Sequence, residues 1–450
     1  MKEINKICLV SLGCPKNLVD AEMMLGFLKK DGFGFTTRPE EGEVIVVNTC
    51  GFIDASKKES IDEILRMAAY KKEGKCKVLV ATGCLSQRYA DELAREMPEV
   101  DLFIGTGEFD RLSEFLKRVI PAKAGIHVSR RQILPDPDLP RIFATPNHYR
   151  YLKISEGCSH ICSFCIIPKI RGGLKSRTID SIVREVEQGV QEGVKEFNLI
   201  AQDLNEFGRD LKNKTDLAGL LEALNRIEGD FWLRPLYMYP LEFNDRLIGV
   251  LRDSEHVVKY VDMPLQHISE RVLLSMKRGS PGRYVRKVLG KLKTAIPDIA
   301  LRTTFIVGYP GETEEEFQEL YDFVEERTFD RVGVFKYSIE EGTTAAELSD
   351  QLPQELKDER YDRLMTLQQK VSFQKNKSLV GKTFKALIEG PSEDDPKSLQ
   401  ARLATQAPEI DGITYIRKVP GTFRTGEFAS VKITKAKEYD LIAEIKEGRS

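Results

Sequence analysis

The sequence predicts an α/β protein in three units: an N-terminal parallel α/β domain, a central partial (βα)6 relative of the TIM barrel, and a small all-β barrel at the C-terminus. Three observations predict it. The chain has 450 residues, and at roughly 150 residues per domain that leaves room for about three. Short apolar runs alternate with helix-periodic segments over most of the length, the pattern of a parallel sheet covered on both faces. Beyond Asn376 the pattern changes to alternating strands interrupted by glycine and proline, as in a small closed sheet.

The first domain is placed at residues 1–125. Ile7–Leu12, Val44–Val47 and Val78–Ala81 are its strand-like runs, and Leu18–Lys30 and Ala55–Tyr70 carry helical periodicity between them. Pro135, Pro137, Pro140 and Pro146 crowd a stretch of little periodicity, so residues 126–147 are taken as a linker. Residues 148–375 resume the alternation, with strands predicted at Arg150–Ser155, Glu196–Ala201, Phe231–Met238, Val257–Met263, Ile299–Val307 and Arg331–Tyr337. Helical patterns follow the first five. Thr313 and Glu316 have the spacing of a capping box. Residues 376–446 form the predicted β-barrel, which includes Phe384–Ile388 and Ala429–Ile433.

The charge balance is even, 68 basic against 70 acidic residues. That argues against a surface that is one continuous nucleic-acid footprint. No run approaches the roughly 18 consecutive apolar residues of a membrane span, so no membrane contact is expected. Met1–Lys6 leads directly into a strand, without the apolar core and small-residue cleavage site of a leader. A cytoplasmic location follows as the expectation. Eight cysteines in a large chain of that compartment are better read as metal or redox groups than as a disulfide framework.

Cys158, Cys162 and Cys165 form Cys-x-x-x-Cys-x-x-Cys on a loop after the first barrel strand. Thiolates are soft ligands suited to iron–sulfur clusters. Three of them can hold three irons of a cube and leave the fourth open to another molecule. Zinc is the alternative, with His160 as a fourth ligand. Its place between the first two cysteines makes a tetrahedron awkward to close, so His160 is read as an ordinary loop residue. Cys14, Cys50 and Cys84 are spaced by 36 and 34 residues, and each follows an apolar strand. Parallel strands end on one edge of their sheet, where ligands gather, so these three thiols are expected to converge. Cys8 and Cys76 fall at strand beginnings, on the opposite edge, and are read as structural.

The second triplet, with Phe164 before its last cysteine, resembles the signature of the radical S-adenosylmethionine superfamily. The resemblance implies that S-adenosylmethionine chelates the open iron and is cleaved reductively to a carbon radical. Phe305–Thr313 is similar to the superfamily segment that approaches the adenine. Phe164, Gln202, Gly308 and Pro310 are therefore the expected contacts to S-adenosylmethionine; no residue is singled out as catalytic. Two three-cysteine sites followed by a small β-barrel look like the methylthiotransferases, over roughly residues 5–445. Membership implies two 4Fe-4S clusters, one held by Cys14, Cys50 and Cys84 and one by Cys158, Cys162 and Cys165. It also implies a C-terminal TRAM domain, and an external reductant and sulfur source.

Two branches of that family differ in substrate. Ser11–Asp20 reads Ser-Leu-Gly-Cys-Pro-Lys-Asn-Leu-Val-Asp, which is similar to the ribosomal-protein branch (the RimO type), where a β-carbon of an aspartate in ribosomal protein S12 is methylthiolated. The protein, free or in the small subunit, would be the partner. The tRNA branch, which modifies an isopentenylated adenosine, usually has Gly-Cys-Gln-Met-Asn there. Tyr237–Pro240, Pro264–His267, Cys165–Pro168 and Arg171-Gly172 also match the ribosomal branch. A departure follows Gln202-Asp203, where two threonines and a tyrosine give way to Leu204-Asn205-Glu206. From Asn376 onward 13 basic and 11 acidic residues are present. A strong RNA clamp would be more basic, so the last domain leans toward a protein target while leaving RNA contact open. A non-catalytic iron–sulfur protein that binds ribosomes is a third reading, and it leaves the open three-cysteine site unexplained. Gly381-Lys382-Thr383 is not a phosphate-binding loop, because position 376 is Asn rather than the required Gly. Glu312 with Glu314–Glu316 is expected to be a solvated helix start complementing the dipole.

Overall fold

A computed structural model describes residues 6–119, 125–393, 395, 397–417, 419 and 423–446. Residues 1–5, on which the leader reading rests, lie outside them. Six parallel strands form the first sheet: β1 (Lys6–Ser11), β2 (Gly34–Phe35), β3 (Val44–Thr49), β4 (Val78–Gly83), β5 (Leu102–Ile104) and β6 (Gly125–His127), in the order β2-β1-β3-β4-β5-β6. Side chains alternate across a strand, so each apolar run feeds two cores. Ile7, Val44, Val46, Val78 and Val80 pack with Met23, Met24 and Leu28 on one face. Cys8, Ile45, Val47, Leu79 and Ala81 pack with Ile64, Met67 and Leu93 on the other. The sheet runs to His127, two residues into the segment expected as linker.

The central unit contains β7 (Tyr149–Lys153), a two-residue ribbon of β8 (Ser155–Glu156) with β9 (Lys175–Ser176), then β10 (Glu196–Ile200), β11 (Trp232–Pro235), β12 (Tyr260–Asp262), β13 (Ala300–Val307) and β14 (Arg331–Lys336). Two parallel groups, β7-β10-β11 and β12-β13-β14, are joined through one parallel bridge, Leu233 to Val257. The result is an open six-stranded half-barrel. Its convex face buries a core of Leu152, Phe197, Leu199, Leu233, Val261 and Leu301 against the helices. Its concave face carries Tyr149, Tyr151, Trp232 and Tyr260, which pack with Val19 of the first unit and Leu387 and Ala407 of the third. Both flanking units thus close the open barrel.

The long helix Gln354–Lys377 leads to β15 (Thr383–Pro391), β16 (Leu399–Leu403), β17 (Thr414–Arg417), β18 (Phe428–Ala436) and β19 (Leu441–Ile445). These close a barrel in the order β15-β16-β17-β19-β18 around Ile388, Leu403, Ile416, Val431 and Ile433. Glu196 on β10 is buried between Arg234 of β11 at 2.7 Å and Arg402 of β16 at 2.5 Å, which ties the small barrel to the large one. Among the described residues no helix is long and apolar enough to cross a membrane.

Candidate functional site

The first triplet sits where the sheet arithmetic puts it. Cys14 follows β1 and is the N-cap of helix Pro15–Lys30. Cys50 follows β3, and Cys84 opens helix Cys84–Glu96 directly after β4. Two glycines make the convergence feasible. Gly13 has φ +89°, and a Cβ there would lie 2.9 Å from Cys50 Cβ. Gly83 has φ +96°, and a Cβ there would lie 2.5 Å from Asn48 Oδ1. Neither position accepts a side chain without backbone strain. Asn17 braces the edge, donating from Nδ2 to the carbonyls of Leu12 at 2.8 Å and Thr49 at 3.0 Å.

The three thiols feel one another and two cations. Burial works to raise the Cys14 pKa, but Lys16, Arg171 and backbone N–H groups outweigh it and the net direction is down. Burial pushes Cys84 up to about 11, with Arg171 opposing and the Cys14 and Cys50 thiols adding to the rise. Burial also raises Cys50. Cys8 and Cys76 are buried in the first domain's second core, away from this edge.

The second triplet lies on the loop between β8 and helix Ile167–Arg171, beyond the C-terminal end of β7, the functional end of such barrels. The loop is anchored through Ser163, whose N–H donates to Met276 O at 2.9 Å and whose hydroxyl donates to Ser275 O at 2.9 Å. Burial pushes Cys158 and Cys165 up to about 12. Arg278 stands at the edge of this triplet, with Nη1 3.7 Å from Cys162 Sγ and its guanidinium 3.9 Å from the Tyr239 ring centroid.

His160 is not an ordinary loop residue. Its Nε2 lies 2.7 Å from Asp203 Oδ2, and its ring stacks on Tyr239 with centroids 4.1 Å apart. Ligand atoms of Cys158, His160 and Glu206 lie within 4.8 Å of one another. The ring nitrogen facing Asp203 is already committed, which leaves the zinc alternative no better supported than before. The departure after Asp203 lines this wall. Leu204 and Phe207 are fully buried, Asn205 Nδ2 donates to Tyr239 O at 2.6 Å, and Glu206 accepts from Ser159 N at 3.3 Å.

The residues expected at S-adenosylmethionine fall on the same end of the barrel. Phe164 packs against Val272, Met276, Ile306 and Tyr309. Gln202 follows β10, and its buried Oε1 has no hydrogen-bond partner among the described residues. Pro310 is buried beyond β13. Gly308 has φ +73°, and its missing Cβ is the space taken by Lys357 Cγ at 2.4 Å, so helix packing alone accounts for a glycine there. The solvated reading of Glu312 is overturned. Its carboxylate is buried, accepts from Tyr309 N at 3.1 Å and pairs with Arg360 at 2.9 Å, because helix Gln354–Lys377 covers this loop. Burial raises its pKa to about 7, with Arg360 opposing.

The segments that carry the two triplets meet. Cys84 shares a small apolar cluster with Ile166 and Ile170, and Ile166 is the residue after Cys165. Arg171 ends the same short helix and reaches the first triplet, its Nη2 3.5 Å from Cys84 Sγ and 2.9 Å from Asn17 Oδ1. Lys16, two residues after Cys14, places Nζ 3.4 Å from the ring centroid of Tyr237 beyond β11. Each triplet thus offers three soft donors with a guanidinium at its edge, and the second also has the Glu206 carboxylate beside Cys158. That donor set suits iron–sulfur chemistry.

A half-barrel with a cysteine triplet at its functional end defines a radical S-adenosylmethionine enzyme. Residues 152–324 match the radical SAM superfamily, residues 6–105 the uncharacterized protein family UPF0004, and residues 380–445 the TRAM domain. The iron–sulfur cluster and S-adenosylmethionine are the cofactors of this class. The fold is similar to that of the radical S-adenosylmethionine methyltransferase TsrM from Kitasatospora setae, solved with cobalamin and a 4Fe-4S cluster bound. That likeness has a TM-score of 0.53 at 14% identity and covers 74% of this chain and 75% of that one. The chain is 48% identical over 445 residues to the ribosomal protein uS12 methylthiotransferase RimO of Geotalea uraniireducens (strain Rf4), covering 98% of both. It is 46% identical over 441 residues to that of Geobacter sulfurreducens (strain ATCC 51573 / DSM 12127 / PCA), again covering 98% of both. The chain belongs to the RimO family of radical SAM methylthiotransferases.

Proposed function

We propose that this enzyme methylthiolates the β-carbon of an aspartate in ribosomal protein uS12, free or in the small subunit, with the methyl group drawn from S-adenosylmethionine. One observation carries the reading: the segments that hold two separate cysteine triplets pack together, Cys84 lying against Ile166, the residue that follows Cys165. Cys158, Cys162 and Cys165 would hold one 4Fe-4S cluster, and Cys14, Cys50 and Cys84 a second. When bound, the first supplies the electron that cleaves S-adenosylmethionine for hydrogen abstraction, and the second an open iron for an external sulfur atom.

The chain's own residues bind and orient. Phe164 and Tyr309 wall the barrel end with apolar surface, and Gln202 presents an unpartnered acceptor there. The Asp203–His160–Tyr239 stack pins the cysteine loop to the ends of β10 and β11. Arg278 and Arg171 bring positive charge to the edges of the two sets of thiols. An external reductant and sulfur source are required, contact with RNA of the small subunit would fall to the TRAM barrel, and the cytoplasm, where ribosomes work, is the location.

Full-length identity to uS12 enzymes and Cys14-Pro15-Lys16-Asn17 favour this substrate over a tRNA adenosine. The three-donor second triplet speaks against a non-catalytic iron–sulfur protein. A Cys14→Ala, Cys50→Ala, Cys84→Ala variant should still cleave S-adenosylmethionine to 5′-deoxyadenosine under dithionite. It should form no methylthio product on uS12, as read by mass spectrometry. A folded triple variant that makes the product at the parental rate would show that sulfur is not mounted at the first triplet.

A further inference from the structure

Arg171 follows the second triplet in sequence and makes a polar contact to the first. Its side chain is 2% exposed, at the end of the five-residue helix that follows Cys165. The guanidinium is divided. Nη1 faces carboxylates, Asp20 at 2.9 Å and Glu156 at 3.0 Å. Both carboxylates also hold the buried ammonium of Lys153, at 2.5 Å and 2.8 Å. Two cations and two carboxylates balance, so this set is neutral in itself. Nη2 faces the other way, toward Asn17 Oδ1 at 2.9 Å and Cys84 Sγ at 3.5 Å. Asn17 in turn is locked to the carbonyls that end β1 and β3.

Arginine is suited to this double task because its donors sit in a rigid planar fork, whereas lysine is a point charge on a flexible stem. A buried cation beside cluster thiolates favours the more negative, reduced state, and hydrogen bonds to the sulfurs act in the same direction. We infer that Arg171 is a positioning residue that reaches across from the radical domain to fix Cys84 and raise the reduction potential of the first-triplet cluster. This rests on the ligand assignment proposed above.

The experiment uses the full-length chain carrying Cys158→Ala, Cys162→Ala and Cys165→Ala, so that only the first cluster can be loaded. Anaerobic reconstitution, iron analysis and a potentiometric titration followed by electron paramagnetic resonance are then done with Arg171 intact, with R171Q and with R171K. Failure of the Arg171-intact chain to hold about four irons would sink the ligand assignment itself, before Arg171 is tested. Given loading, R171Q should titrate at a lower potential than the parent, with R171K falling between the two. An unchanged midpoint in a folded, iron-replete R171Q protein overturns the inference. If R171Q does not load, R171K decides: a loaded lysine variant with a midpoint below the parent supports the inference, and one at the parent midpoint overturns it. A lysine variant that also stays empty while its circular dichroism is native would assign Arg171 to assembly rather than to potential, and the inference fails.

Discussion

At the scale of single residues, cysteine position separates the proposed ligands from filler. Cys8 and Cys76 lie in a packed apolar layer, and burial pushes Cys76 up to about 11, so its thiol stays protonated near neutral pH. Cys8→Ala and Cys76→Ala should therefore cost about 1 kcal/mol of stability each and leave iron content unchanged after reconstitution. Lost iron in a normally folded variant would move the ligand set. The cysteines were legible from sequence because each ligand candidate ends a strand or repeats at short spacing. The contacts of Arg171, Lys16, Asn17 and His160 are not legible there, since they join segments far apart in the chain, which no periodicity reports. Gln202 is expected at S-adenosylmethionine from resemblance alone, and its buried Oε1 has no hydrogen-bond partner among the described residues.

At the scale of elements, helix Glu314–Glu325 was placed by its capping box, and both arms of the box are present. Glu316 N donates to Thr313 Oγ1 at 3.3 Å, and Thr313 N donates to Glu316 Oε2 at 2.9 Å. Thr313→Ala should cost about 1 kcal/mol. Partial burial works to raise the Glu316 pKa, but Arg271, the Thr313 N–H and Ser269 overcome it and hold it down to about 2. A carboxylate depressed in the folded state stabilises above its unfolded value, near 4.3, and loses that contribution as pH falls toward 2. The thermal midpoint of Glu316→Gln should thus lie below the parent at pH 7, and the gap should close on acidification through this window. Glu316 is 13% exposed but its partner Arg271 is 55% exposed, so solvent screening keeps the effect modest. The same segment shows why sequence misled at Glu312: a run of glutamates looks solvated until helix Gln354–Lys377, some forty residues later in the chain, is laid across it. Strands of two or three residues, such as β2, β5 and β6, were not individually legible because a period of two needs more residues to declare itself.

At the scale of the whole molecule, three units hold together through buried charge as well as apolar contact. Arg234 and Arg402 hold the buried Glu196 carboxyl below its usual range despite the burial that would raise it. Glu196→Gln would strand the buried Arg234 guanidinium and leave Arg402 with Glu389 alone, a change of the kind that costs about 3–5 kcal/mol. The concerted replacement Glu196→Leu, Arg234→Met, Arg402→Met, with Glu389→Gln to remove the carboxylate that also pairs with Arg402, should cost much less, since no charge of the set is left unpaired. Calorimetry distinguishes the two, with the C-terminal barrel releasing at lower temperature in the single variant alone. The order of the three units was readable from changes in periodicity. Their mutual docking was not, because the concave barrel face is sealed by residues from both ends of the chain.

The reach of Arg171 into the first unit also sets a clock. Domains fold in the order in which they leave the ribosome, and the sheet with Cys14, Cys50 and Cys84 is complete at His127, well before Arg171 is synthesised. For that interval the nascent chain carries three converged thiols without the guanidinium that later faces Cys84. Lys16, already made, is then the cation that acts most on Cys14, so under the proposed ligand assignment iron could be received in the finished surroundings only once residue 171 has left the ribosome.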